Sequence, residues 1–196
     1  MLRVLRAVDA AFALPGAAPV SPFSIELEPG ERGSLFLPSR ASASIAARMA
    51  AGIVKPTSGT LFIADFDPKL QPVQAKRVVG FVPVGGAFGD VPREPLLAGD
   101  RSEVIDFHAA LYEVDPATAR RRAHAVLSLF ETATDEALAL ALALMRPIAL
   151  LVLDQPSTFL AGMAPSLSGG RIAVLTTSTA PLAQPEPQPS MAGTAR

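Results

Sequence analysis

Cysteine is absent, so this chain has neither disulfides nor thiolate metal sites to work with. Histidine is scarce: His108 and His124 lie far in sequence from any other candidate ligand. A strong charge of one sign is also missing. The 17 Lys+Arg nearly balance the 18 Asp+Glu, leaving a net charge of -1. Nothing there pulls the chain towards nucleic acid or anionic lipid. No apolar run is of membrane length. The longest, Ala137 to Leu153, is broken by Arg146-Pro147, and a span needs roughly 20 apolar residues. It reads as a buried helix followed by a buried strand. The first sixteen residues hold two arginines and an apolar run, the outline of a signal peptide, but Asp9 interrupts them. They read better as a first strand, and a cytoplasmic location is the default.

What is present is apolar content. At 49% hydrophobic in 196 residues, the chain can build a core for one domain with room for a small subdomain. Leu2 to Phe12 alternates weakly and is expected as an edge strand. FSIELEPGE alternates apolar and acidic residues and then turns at Pro29-Gly30, a half-buried strand. Ser34 to Gly59 reads as strand (SLFL), loop (PSRASAS), helix (IAARMAAG, stopping at Gly52) and turn (KPTSG). TLFIADF and RVVGFVPV read as strands, and GGAFGDVPREPLLAGD as a loop. Ser102 to Tyr112, capped at Ser102, and Pro116 to Phe130 read as helices. Arg120, Arg121 and Arg122 form a basic run, either a solvated face or a contact for an acidic partner. ALLVLD and Ile172 to Thr177 are late buried strands, and Leu35–Leu37 is expected beside Leu150–Leu153 in one sheet. Residues 181–196, rich in Pro, Gln and Ala, are expected to be disordered.

Strand, loop and helix at Ser34–Gly52 follow the order of a phosphate-binding loop, where N–H groups at a helix N-terminus cradle phosphates. The pattern is G-x-x-x-x-G-K-[ST]. The matching positions are Leu37, Ser42, Ala43 and Ser44, of which only the last fits. LSGGR at Leu167–Arg171 spells something close to a nucleotide-binding signature, but it precedes a strand and reads as a glycine turn.

The segments EPGERGSLFLPS, AGIVKPTSGTLFIADFDP, VVGFVPV and ALLVLDQPSTFL, in that order, resemble the nucleotide-binding subunit of ATP-binding cassette (ABC) transporters. The resemblance runs from about Phe23 to Ser178. It implies an α/β, P-loop NTPase-like fold: a mostly parallel sheet, antiparallel N-terminal strands and a reduced helical subdomain at about 101–146, all within 1–180. It implies ATP and magnesium as ligands, and as partners a membrane permease, an active ABC ATPase subunit, or a second copy in a dimer. Nucleic acid is not among them. The location implied is peripheral, at the inner face of the cell membrane.

The same resemblance marks the altered positions. Pro38, Ser39, Arg40, Ala41, Ser42, Ala43 and Ser44 stand where the phosphate loop would be. Ala43 replaces its lysine, and Arg40 replaces a glycine, either as a substitute cation or pointing to solvent. Val84 stands at the loop glutamine and Gln155 at the glutamate that polarises water. Ser178 stands at the switch histidine. LFETATDE, Leu129 to Glu136, stands at the signature and carries acids instead of a glycine pair. Ser157 to Gly162 stands at the segment after the catalytic glutamate. Ser44 and Asp154 remain as magnesium ligands, Ser44 alternatively as a helix N-cap. Phe12 is the positional candidate for stacking on adenine, against an ordinary core role. The implied function is a catalytically degenerate subunit that supports an active ATPase or permease. The alternative is a subunit that gives Asp154 and Ser44 to a composite site.

Overall fold

The computed structural model describes residues 3–85, 101–132, 134–167 and 170–179. The tail at 181–196 and most of the expected Gly/Pro loop lie outside them. Among the described residues the order is β1 (Leu5–Phe12), β2 (Val20–Leu27), β3 (Arg32–Phe36), α1 (Arg40–Ala50), β4 (Ser58–Ile63), α2 (Pro72–Arg77) and β5 (Val79–Val82). Then come α3 (Arg101–Leu111), α4 (Pro116–Leu127), α5 (Asp135–Leu144), β6 (Leu150–Asp154), α6 (Thr158–Leu167) and β7 (Ala173–Ser178).

The fold is α/β with two sheets. One is antiparallel, ordered β2-β1-β4, and the other parallel, ordered β3-β7-β6-β5. Two expectations are corrected. β1 is the central strand of its sheet, not an edge, because its buried residues pair on both sides while β2 and β4 carry the exposed flanks. β3 and β6 share a sheet but are not neighbours, since β7 lies between them. The burial patterns explain this placement. β6 is buried along its whole length and β7 along nearly all of it, as interior parallel strands are. β3 alternates exposed and half-buried residues and suits an edge.

Side-chain alternation divides the core. Leu150 and Val152 of β6, with Ala173 and Leu175 of β7, face a cluster shared with α1 and the antiparallel sheet. Leu151, Leu153 and Val174 face a second cluster, with Leu140 of α5 and Leu160 of α6. A third cluster joins α3, α4 and α5 through Ile105, Ala109, Ala119, Ala123, Leu138 and Met145. The basic run belongs to this helical layer. Arg120 makes a two-pronged pair with Asp106 of α3, and Arg122 donates to the Met145 carbonyl at 3.2 Å. Arg101 is already helical, so Ser102 lies inside α3 and not at its cap.

α1 is the helix on which both sheets converge. Ala43, Ala46, Ala47, Met49 and Ala50 are fully buried in the first cluster, which draws on β1, β2, β4, β6 and β7. Alanine combines high helix propensity with the smallest side chain that still packs, so sheets can approach closely on both sides. The helix ends in a Schellman motif. Gly52, at φ +69°, donates to Met49, and Ile53 donates to Arg48. Ala47→Leu should therefore cost about 1–3 kcal/mol by overpacking, whereas Leu at exposed Ala41 should be nearly neutral. Urea unfolding of both variants checks this, and an unchanged midpoint for Ala47→Leu would mean that α1 is not tightly enclosed.

Candidate functional site

The carboxyl ends of the parallel strands finish level, with Phe36 beside Ser178 and Asp154 beside Thr177. In open α/β sheets this edge is where ligands bind. The N-terminus of α1 stands over it.

That N-terminus closes on itself. Ser39 is extended, and its hydroxyl accepts the Ser42 N–H at 3.1 Å. The Ser42 hydroxyl donates to the Pro19 carbonyl at 2.8 Å and shares a 2.9 Å hydrogen bond with Ser39 Oγ. The helix therefore begins at Arg40, and residues 40–44, expected as open loop, are helical. The reason is local: with no glycine to hold the chain open, a good serine cap sets the helix start early. Ser44 lies within α1, so its expected N-cap role belongs to Ser39. Ala43 is buried in the core, while Pro38, Arg40 and Ala41 are exposed.

Asp154 closes β6 at 2% exposed. Its Oδ1 accepts from the Thr177 hydroxyl at 3.3 Å and from Gln155 Nε2 at 3.2 Å. Its Oδ2 has no hydrogen-bond partner among the described residues. Gln155 adopts φ +49° and donates its backbone N–H to the Thr177 carbonyl. Its side-chain nitrogen also lies 3.0 Å from Ser44 Oγ and 3.1 Å from the Arg40 carbonyl. The structure thus brings Ser44, Asp154, Gln155 and the backbone of Arg40 into one cluster.

As arranged, Ser44 and Asp154 do not fit a divalent cation. An N–H donor stands between the two oxygens, and magnesium needs oxygen ligands at about 2.0–2.1 Å in near-octahedral geometry. No group of three His, Cys, Asp or Glu placed to hold a metal occurs among the described residues. The α1 N-terminus likewise fits a triphosphate poorly, since Ser39 uses the Ser42 N–H and no lysine is supplied.

Other expected site residues lie elsewhere. Phe12, 8% exposed, packs in the core, its ordinary alternative role. Val84 is half-buried past the end of β5. Ser178 is engaged through its backbone, its carbonyl accepting the Leu37 N–H at 2.9 Å. The acids of Leu129–Glu136 do not form a free acidic loop. Asp135 and Glu136 occupy the first turn of α5, where the helix dipole favours them. Glu136 accepts the backbone N–H and hydroxyl of Ser157, which caps α6. Residues 158–162 are accordingly helical. Gly170, at φ +85°, lies in a turn before β7, as expected for the end of LSGGR; residues 168–169 lie outside the described set. Sequence reasoning missed Thr177, and it placed Ser39 and Ser42 in a phosphate loop where the structure uses them as a helix cap. The two threonines that end the otherwise apolar AVLTTS strand were the available signal for Thr177.

Two hollows lie outside this cluster. One of about 370 Å³ is lined by Arg3, Arg6, Phe62 and Asp65. A cleft of about 220 Å³ includes His108, Tyr112 and Arg146, with Phe81 and Ile53. Arg146 lies 4.2 Å over the Tyr112 ring and donates to the carbonyls of Arg77, Lys76 and Val79. Burial lowers the pKa of Arg146 against the opposing influence of Tyr112. Burial first, and then the nearby Arg146 charge, lowers that of His108.

No protein-family model and no curated protein matches the sequence. Solved structures match its fold. One is described as the ATP-binding subunit of an ABC transporter, 14% identical, covering 89% of this chain and 79% of that one, with a TM-score of 0.61. Another is cbiO1 from Clostridium perfringens, part of the ABC transporter complex cbiONQ: 14% identity, 90% and 79% coverage, TM-score 0.62. A third is the ATP-binding cassette MJ0796 in a dimeric post-hydrolysis state bound to ADP and Pi: 14% identity, 88% and 87% coverage, TM-score 0.64. The fold is that of ABC-transporter ATP-binding subunits. At this identity the likeness is one of fold alone.

Within this ABC-type fold the α1 cap is the part most open to test. Ser39→Ala should cost about 1 kcal/mol, read as a thermal midpoint lower by about 2–4 °C. A midpoint equal to that of the parent chain would show that the Ser39 hydroxyl does not secure the helix start.

Proposed function

We propose that this chain is a non-hydrolysing ABC-type subunit, giving structure or regulation to an active ABC ATPase, to a membrane permease, or to both. The observation that carries the reading is the Gln155 side chain, whose amide lies against Ser44 and Asp154. An amide cannot accept a proton from water, so position 155 supplies no general base. Ala43 brings no charge to the helix start, and its methyl is buried. Phosphoryl transfer depends on positioned charges around the transferring group. Here the lysine, loop glycines, loop glutamine, signature, catalytic glutamate and switch histidine are all replaced. Nucleotide and magnesium binding by the isolated chain is correspondingly weak or absent.

The partners follow from the company of the fold. The cbiO1 protein is part of a transporter complex and MJ0796 is dimeric. Among the described residues no helix is long and apolar enough to cross a membrane. A peripheral place at the cytoplasmic face, docked on membrane-embedded subunits, accords with this. In the alternative reading, Asp154 and Ser44 complete a site built with another subunit; this requires Gln155 to leave its present partners.

Purified chain is expected to give no ATP turnover above background, alone and with magnesium. Turnover on the order of 1 s⁻¹ or faster by the isolated protein would end the proposal. In a reconstituted assembly with its partner ATPase, Asp154→Ala should leave hydrolysis unchanged. Loss of the assembly's activity would favour the composite site instead.

A further inference from the structure

We infer that the side-chain amide of Gln155 is a built-in replacement for a cation: a neutral latch that ties the start of α1 to the end of β6 and makes the Ser44–Asp154 pair independent of divalent metal. This deepens the proposed reading of the same site, but its test uses neither nucleotide nor partner, so either can fail alone.

Four features carry it. First, Nε2 lies 3.0 Å from Ser44 Oγ, 3.1 Å from the Arg40 carbonyl and 3.2 Å from Asp154 Oδ1. These acceptors come from two elements that are far apart in sequence. Second, the orientation of the amide is fixed by chemistry. With the amide reversed, its oxygen would face the Arg40 carbonyl and the Asp154 carboxylate, neither of which can donate. Third, the backbone of Gln155 sits at φ +49°, a conformation that disfavours residues other than glycine and persists only where surroundings enforce it. Its N–H bond to the Thr177 carbonyl and its side-chain contacts are those surroundings. Fourth, Asp154 is 2% exposed, and its Oδ1 accepts from both the amide and the Thr177 hydroxyl. A carboxyl so placed demands a donor or a cation. Gln155 supplies the donor through the chain itself.

The physical consequence is a difference between an amide and a carboxylate at one position. Glutamate at 155 would keep the length of the side chain but remove both N–H donors. It would set a second carboxylate beside Asp154 and against two neutral acceptors. At a pH where both carboxyls are ionised, a bound cation reconciles the three oxygen-bearing side chains. Gln155→Glu should thus turn a metal-indifferent cluster into a metal-dependent one.

The experiment is thermal unfolding of the full chain in EDTA and in millimolar magnesium chloride, for the parent and three variants. The parent midpoint should not respond to magnesium. Gln155→Ala should lower it by about 4–8 °C, as expected when a buried cluster of acceptors loses the donor they share, again without a magnesium response. Gln155→Glu should fall at least as far in EDTA and recover much of the loss in magnesium. Adding Asp154→Asn to Gln155→Glu should abolish that recovery, which separates binding at this cluster from general ionic effects. A parent chain stabilised by magnesium, or a Gln155→Ala variant as stable as the parent, would overturn the latch. So would a Gln155→Glu variant indifferent to the metal. If Gln155→Glu fails to fold in either buffer, the parent and Gln155→Ala arms still decide.

Discussion

The enclosure of α1 is the constraint on which the rest of this structure depends. A helix covered by an antiparallel sheet and a parallel one has little room for side chains. Its buried positions are alanine, with one serine and one methionine. Alanine supplies little hydrophobic stabilisation per residue, since burial scales with area. It permits the large side chains of both sheets to meet around the helix instead. Leu5, Ile63, Leu150 and Leu175 all belong to that common cluster.

The enclosure also conditions the chemistry. Position 43 faces the core, so a long charged side chain there would need a route out between packed elements. The serines at 39 and 42 complete the effect by consuming each other's hydrogen-bonding capacity and that of Pro19. A helix terminus with free N–H groups attracts anions. One whose groups are satisfied from within is a structural joint. The same change is seen across the sheet edge, where Gln155 bonds to α1 and Glu136 bonds to Ser157. Groups that could have been turned towards a ligand are turned towards one another.

Much of the fold was legible because strong local patterns agree with it. The unbroken apolar run of Leu150–Leu153 could only be an interior strand, and the glycine after Ala51 marked the end of α1 as its αL cap. Strand order was less legible. Nothing in the composition of Leu35–Leu37 says that β7 would intervene; that depends on which strand can be covered on both faces. The start of α1 was misplaced because the loop was read by analogy with a glycine-rich one, whereas Ser39, Arg40 and Ala41 have no reason to avoid a helix. In the site, Asp154 and Ser44 were found from the positions that the resemblance to ABC subunits marks. Thr177 and the bridging orientation of Gln155 were not, because they arise from contacts across 23 and 111 residues of chain. The basic run at 120–122 reads as a solvated face on sequence grounds, and all three arginines are exposed; what the sequence did not show is that Arg120 and Arg122 also bond to Asp106 and to the Met145 carbonyl.

Arg146 interrupts the most apolar stretch of the chain, and its placement has a mechanical result. Its guanidinium grips three carbonyls around the α2–β5 junction while lying against the ring of Tyr112, which follows the last residue of α3. The helical layer is thereby riveted to the strand beside β6. That one side chain therefore joins the helical layer to β5, the parallel neighbour of the strand that ends at Asp154.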